Sequence, residues 1–204
     1  MALERKIAKH LLDIEAVALR PNDYFTWTSG IKSPIYCDNR ITMSYPAIRR
    51  EIATGMSEVI KAKFPEVEVV AGTATAGIPH AAWVSEVLDL PMVYVRDSAK
   101  KHGKTNQIEG RLLEGQKVVI IEDLISTGLS SLKVAKALEE SGAVVLGVVA
   151  IFSYELKKAQ DAFATDNVEY YTLTNYNFLI EEAVASNYIK QEDVEKLLEW
   201  RNNL

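Results

Sequence analysis

Two carboxylates stand side by side at Glu122 and Asp123, directly after the apolar run Val118, Val119, Ile120 and Ile121. Leu124 and Ile125 follow, and then a small hydroxylic stretch of Ser126, Thr127, Gly128, Leu129, Ser130 and Ser131. A run apolar at every position suits a strand covered on both faces, and an open parallel sheet binds ligands at the carboxyl ends of its strands. The Ser, Thr and Gly residues precede a pattern of helical period starting near Leu132. Hydroxyls and unpaired backbone N–H groups would therefore meet at a helix N-terminus, which suits a phosphate dianion. Acids sharing that pocket would repel a phosphate. They are better placed to accept hydrogen bonds from neutral hydroxyls or to approach a cation. A sugar phosphate presents both ends, so one strand, turn and helix could hold it along its length. Hydroxyl residues alone are also routine helix caps; the paired acids on a fully apolar strand set this segment apart. Two other phosphate loops are excluded, because neither G-x-x-x-x-G-K-[ST] nor a G-x-G-x-x-G following a strand occurs.

A second segment, residues 96–110, carries Arg96, Lys100, Lys101 and Lys104 together with His102, between an apolar run at 92–95 and Gly110. Few apolar groups anchor it, so it is expected to move when empty and to close on an anion. By composition alone it reads equally as a solvated charge run. A third segment, residues 69–79, is an apolar run followed by Gly72, Thr73, Ala74, Thr75, Ala76 and Gly77. Small residues there would let backbone amides approach a ligand, although plain packing makes the same demand. Within residues 25–40, Ser29, Gly30, Lys32 and Pro34 precede Tyr36 and Cys37. Tyr36 offers a face on which a planar ring can stack, and Lys32 a charge for a carboxylate, unless it is simply solvated.

The elements that must position these groups follow from periodicity. Ile7, Leu11, Ile14 and Ala18 recur at helical spacing, as do Ile48, Ile52, Met56, Val59 and Ile60 after Pro46. The stretch between them predicts a hairpin or irregular hood over about 20–40. From Val67 onward short apolar runs alternate with helical patterns, and the last thirty residues read as helices closing the fold. The expected architecture is one α/β domain over 1–204, with a doubly wound, mainly parallel sheet flanked by helices and a small N-terminal hood.

Composition limits the partners. The chain has 204 residues, 48% of them hydrophobic, and a formal net charge of −5. Nothing global draws it to nucleic acid or an anionic membrane, so an anion site must be local. Cys37 is the single cysteine and excludes an internal disulfide, while His10, His80 and His102 are too scattered for a spaced zinc set. Charges at Glu4, Arg5, Lys6 and Lys9 interrupt any apolar N-terminal run, which points to a cytoplasmic protein.

The segment EDLISTGLSS resembles the PRPP-binding motif of the type I phosphoribosyltransferases, PRPP being phosphoribosyl pyrophosphate. The resemblance spans roughly residues 20–175. It implies that Glu122 and Asp123 engage the ribose hydroxyls and that Ser126, Thr127, Gly128, Leu129 and Ser130 wrap the 5-phosphate, with Leu124 and Ile125 also among the PRPP-binding residues. The segment KKHGKTNQIEG is similar to the catalytic loop of the orotate phosphoribosyltransferases. Carried residue by residue, this makes Arg96, Lys100 and His102 ligands of the diphosphate, with Lys100, His102 and Asp123 the catalytic groups. The resemblance also implies a homodimer in which Arg96 serves the neighbouring active site. It makes Ser126, Lys32 and Tyr36 the orotate contacts, and brings Mg²⁺ in with PRPP, with Asp123 as the protein group placed near it and no metal held by protein alone.

Three positions depart from some members: Asp97 stands where a lysine occurs, Ala76 likewise, and Tyr154 replaces an arginine that contacts orotate. With Tyr154 there, orotate's carboxylate would depend on other donors, such as backbone amides of the hood and Ser126. The expected reaction is transfer of the phosphoribosyl group to N1 of orotate, which is nucleophilic once bound and needs no serine or cysteine nucleophile. Two rivals remain at this point: a transferase for another base, and a PRPP-sensing regulator without catalysis. Against the regulator, the sequence shows no basic nucleic-acid-binding module.

Overall fold

The computed structural model describes residues 2–26, 30–96 and 107–204. In chain order, α1 (Leu3–Asp13) leads to the short strands β1 (Val17–Leu19), β2 (Phe25–Thr26), β3 (Lys32–Ser33) and β4 (Ile35–Cys37). A 3₁₀ turn (Asn39–Ser44) then enters α2 (Pro46–Lys63). Next come β5 (Val69–Thr73), α3 (Gly77–Leu88), β6 (Met92–Val95), β7 (Ile108–Glu109), β8 (Lys117–Ile125) and α4 (Leu129–Glu140). The chain ends with β9 (Val144–Ser153), α5 (Lys157–Thr165), β10 (Tyr170–Asn175), α6 (Tyr176–Ala185) and α7 (Val194–Asn202).

Six strands form the main sheet in the order β10-β9-β8-β5-β6-β7. Its pairs are parallel except at the edge, where β7 runs antiparallel to β6. The reason β8 reads as apolar at every position is that both its faces are covered. Val119 and Ile121 join the core that includes α1, α2, α3 and α6, while Val118 and Ile120 join the core built with α4 and α5. The hood consists of two antiparallel ribbons, β1 with β4 and β2 with β3.

Three boundaries differ from the sequence reading. Ala18 does not extend the first helix: Glu15 adopts φ +58°, breaking the helical path, and Ala18 pairs with Tyr36 in the β1–β4 ribbon. The strand does not stop at the acids. Pairing with β9 continues as far as Ile125 opposite Ser153, so Glu122 and Asp123 lie within β8. Finally, α4 begins at Leu129 rather than near Leu132, because Gly128 takes the left-handed conformation (φ +78°) immediately before it. Ser130 and Ser131 thus occupy the first helical turn. Among the described residues no helix is long and apolar enough to cross a membrane.

Candidate active site

Within β8 the side chains of the two acids are hydrogen-bonded to each other, yet they meet different surroundings. Glu122 is buried and Asp123 partly exposed. Both oxygens of Glu122 are engaged: Ser131 Oγ donates to Oε2 at 3.1 Å and the Asp123 backbone N–H donates to Oε1 at 3.1 Å. Removal from water, reinforced by the Asp123 charge, pushes the Glu122 carboxyl up to about 8. Burial also raises Asp123. The pair therefore holds a proton at neutral pH, and an incoming cation or hydroxyl donor would favour its release. Ser131 explains why a hydroxyl is needed one turn into α4: it fixes the carboxylate that the strand delivers.

The turn between the acids and α4 consists of Ser126, Thr127 and Gly128. Gly128 is required for two reasons. Its φ is +78°, and a Cβ there would lie 2.7 Å from Phe163 Cε2. Backbone N–H groups from this turn and from Leu129 and Ser130 are the unpaired donors of a helix N-terminus.

Next to β8 in the sheet, β5 ends in a second turn. Its residues Thr73 to Ala76 lead directly into α3, and the Ala74–Thr75 peptide is cis. A Cβ on Gly77 would come within 2.5 Å of the Ile121 carbonyl oxygen, so the start of α3 rests on the backbone of β8. The Thr73 hydroxyl is buried without a hydrogen-bond partner among the described residues.

The hood reaches the acids through a residue that the sequence reading passed over. Asn39 is buried, donates from Nδ2 to the Asp123 carbonyl at 2.7 Å, and accepts from Cys37 Sγ at 3.4 Å. Behind it, Thr42 Oγ1 donates to the Asn39 carbonyl at 2.6 Å and lies 3.4 Å from His80 Nε2 on α3. Because Thr42 commits its proton to Asn39, the ring nitrogen facing it must carry the hydrogen. Burial lowers His80 to about 4, so the ring is neutral. Asn39 was legible as a polar residue just past the ribbon, but nothing in its type or spacing disclosed the partner 84 positions away.

Tyr36 is exposed on β4, its ring 5.8 Å from that of Phe25. Lys32, on β3, donates to Thr26 Oγ1 at 2.6 Å, and its carbonyl accepts from Trp200 Nε1 at 2.9 Å. Its ammonium is thus engaged within the hood, beside α7. Tyr154 is buried and packs edge-on against Phe152 with centroids 5.5 Å apart. Arg96 follows β6, with its Nε 3.3 Å from Glu109 Oε1, and its backbone exchanges hydrogen bonds with Gln107. Lys100, His102 and the departure at Asp97 lie outside the described residues, as does most of the segment expected to move. The structure accordingly brings together Glu122, Asp123, Ser131 and Asn39, with the 126–130 turn adjoining them in the chain. No group of three or more His, Cys, Asp or Glu side chains suited to a metal occurs among the described residues.

Residues 43–187 match the phosphoribosyl transferase domain family. The orotate phosphoribosyltransferase of Enterococcus faecalis is 65% identical over 98% of this chain and 95% of its own length. That of Staphylococcus aureus is 61% identical over 99% of this chain and all of its own. Among solved structures, orotate phosphoribosyltransferase from Aeropyrum pernix aligns with a TM-score of 0.77 at 26% identity, covering 90% of this chain and 99% of that one. Shared sequence across nearly the whole length, and a shared fold, show that the chain belongs to the orotate phosphoribosyltransferase family.

Proposed function

We propose that this protein transfers the 5-phosphoribosyl group of PRPP to N1 of orotate, giving orotidine 5′-monophosphate and pyrophosphate in the biosynthesis of UMP. The observation that carries the reading is the acid pair of β8, set two residues before a Ser-Thr-Gly turn that opens α4. In a family of this activity, that arrangement matches a sugar phosphate group by group. Asp123, the more exposed carboxylate, accepts from ribose hydroxyls. Glu122, held by Ser131, sets the position of its neighbour, and the amides of 126–130 receive the 5-phosphate.

Lys100, His102 and Arg96 supply positive charge as the diphosphate departs and its oxygens become more negative. His102 can also give a proton to the leaving group. In a homodimer, Arg96 of one subunit would serve its neighbour's site. The donor set also fits Mg²⁺. Glu122 is occupied by its own hydrogen bonds, leaving Asp123 as the protein carboxylate that would sit near a cation arriving with PRPP. Bound there, Mg²⁺ supplies neutralisation of diphosphate charge. Tyr36 provides the surface on which the pyrimidine stacks, and Ser126 contributes a donor to it. Closing the site excludes water, which would otherwise hydrolyse PRPP.

The test is direct. Protein, PRPP and Mg²⁺ are mixed with orotate, and loss of its ultraviolet band is followed, with uracil and hypoxanthine in parallel. Turnover confined to orotate is the expected result. Turnover of hypoxanthine or uracil instead, or no turnover of any base, would overturn the reading.

A further inference from the structure

Orotate carries a carboxylate that calls for a cation, and the two described cations so far named for the site, Lys32 and Arg96, are engaged elsewhere. Lys32 is engaged with Thr26 and lies against α7. Arg96 lies against Glu109 at the far edge of the sheet. The region between Tyr36 and Asp123 nonetheless holds a cation that the family motifs do not single out.

Arg40 stands four residues after Tyr36 and directly after Asn39, whose side chain is tied to the Asp123 carbonyl at 2.7 Å. That bond anchors the start of the 3₁₀ turn on the acid-bearing strand, fixing where the Arg40 backbone lies. Its side chain is fixed as well. Asp38 receives Arg40 Nε on Oδ1 at 2.6 Å and Nη2 on Oδ2 at 2.8 Å, and also accepts the Arg40 backbone N–H at 3.2 Å. A guanidinium has five N–H donors, and this fork takes two of them. Those on Nη1 have no partner among the described residues. The group is solvent-facing, with 61% of its side chain exposed. Its positive charge is felt at Asp123, where it opposes the upward push of burial, and it is itself raised chiefly by Asp38, with smaller contributions from Tyr36 and Asp123.

We propose that Arg40, oriented by Asp38, is the residue that recognises the carboxylate of the pyrimidine substrate. This rests on the reading of the protein as an orotate transferase and names the specificity determinant within it. An orotate bound beside two acids needs a compensating cation nearby. A preorientated arginine supplies it with little ordering cost, and its remaining N–H donors discriminate a carboxylated base from a neutral one. Asp38 sets the orientation of the guanidinium and so acts as a positioning residue.

The experiment compares wild type with Arg40→Gln and Arg40→Lys. It measures KM for orotate and for PRPP, kcat, the thermal midpoint, and direct binding of labelled orotate by equilibrium dialysis in the presence of ribose 5-phosphate. Arg40→Gln is expected to raise the orotate KM and dissociation constant by about 10-fold or more, the loss of a hydrogen bond to a charged group. Arg40→Lys should recover part of that loss, with PRPP KM and thermal midpoint near wild type. Unchanged orotate binding in Arg40→Gln would overturn the proposal. So would a rise confined to PRPP, which would move Arg40 to the phosphate side, or a fall in thermal midpoint with no change in orotate affinity. Failure of the wild type to turn over orotate would instead count against the activity. The dialysis still decides Arg40 in that case, since equal affinity of wild type and variant for orotate, including none in either, overturns its role.

Discussion

The turns that follow β5 and β8 lie side by side at one end of the sheet, yet they are built by opposite means. The β5–α3 turn works by omission: Gly72, Ala74, Ala76 and Gly77 leave so little side chain that the start of α3 rests against the backbone of β8. The β8–α4 turn works by addition, placing two carboxylates and several hydroxyls on a backbone of the same strand-turn-helix form. One turn creates space and exposes peptide groups, whereas the other supplies side-chain chemistry. Substitutions should therefore damage the first through stability and the second through catalysis.

The largest effect is expected at Gly77. An alanine there would set its Cβ against the Ile121 carbonyl, a backbone atom that cannot rotate away. Gly77→Ala should lower unfolding free energy by about 3 kcal/mol, the upper part of the range for overpacking, as measured by urea denaturation. A variant as stable as wild type would show that the start of α3 sits less tightly on β8 than the geometry says. Asp123→Asn should do the reverse. Removing the acceptor charge offered to ribose hydroxyls forfeits about 1.5–3 kcal/mol, or roughly 10–150-fold in kcat/KM, with the urea midpoint little altered. Equal losses of stability and activity would erase the contrast.

Gly128→Ala is predicted to be milder than Gly77→Ala. The left-handed backbone costs about 1–2 kcal/mol for an L-residue, while the obstacle is the edge of the Phe163 ring, which can shift. Pairing it with Phe163→Leu should recover part of the loss, and the double-mutant cycle reads out that coupling.

Under changing pH the regions take opposite signs. Burial lowers His80, on α3, from 6.5 to about 4, so the unfolded chain binds more protons and stability declines as pH falls from 6.5 through 4. Glu122 is raised from 4.5 to about 8, so its contribution is present below 4.5 and lost as pH rises through 8. Thermal midpoints across pH 4–9 should thus show a shallower acid limb in His80→Gln and a shallower alkaline limb in Glu122→Gln. The same limb flattening in both variants would contradict these assignments.

Much of the fold was legible because its signals are local. An apolar run covered on both faces can be read from β8, β9 and β5 without knowing their neighbours, and Pro46 correctly marks the start of α2. The acids and the Ser-Thr-Gly turn were legible for the same reason, being adjacent in the chain. Errors arose where distant pairing overrode local pattern. Ala18 continues a helical period but is claimed by Tyr36 across the ribbon, and the end of β8 is set by β9. The parts played by Asn39, Thr42 and His80 were not legible because they lie entirely in contacts across the fold.

The hydrogen bond from Trp200 to the Lys32 carbonyl brings the final helix against the hood, and Leu204 lines the same cleft as Tyr24 and Lys32. An affinity tag or reporter fused after Leu204 would therefore emerge next to the segment assigned to base recognition. A fluorophore attached near Leu204 would give an optical signal of hood rearrangement.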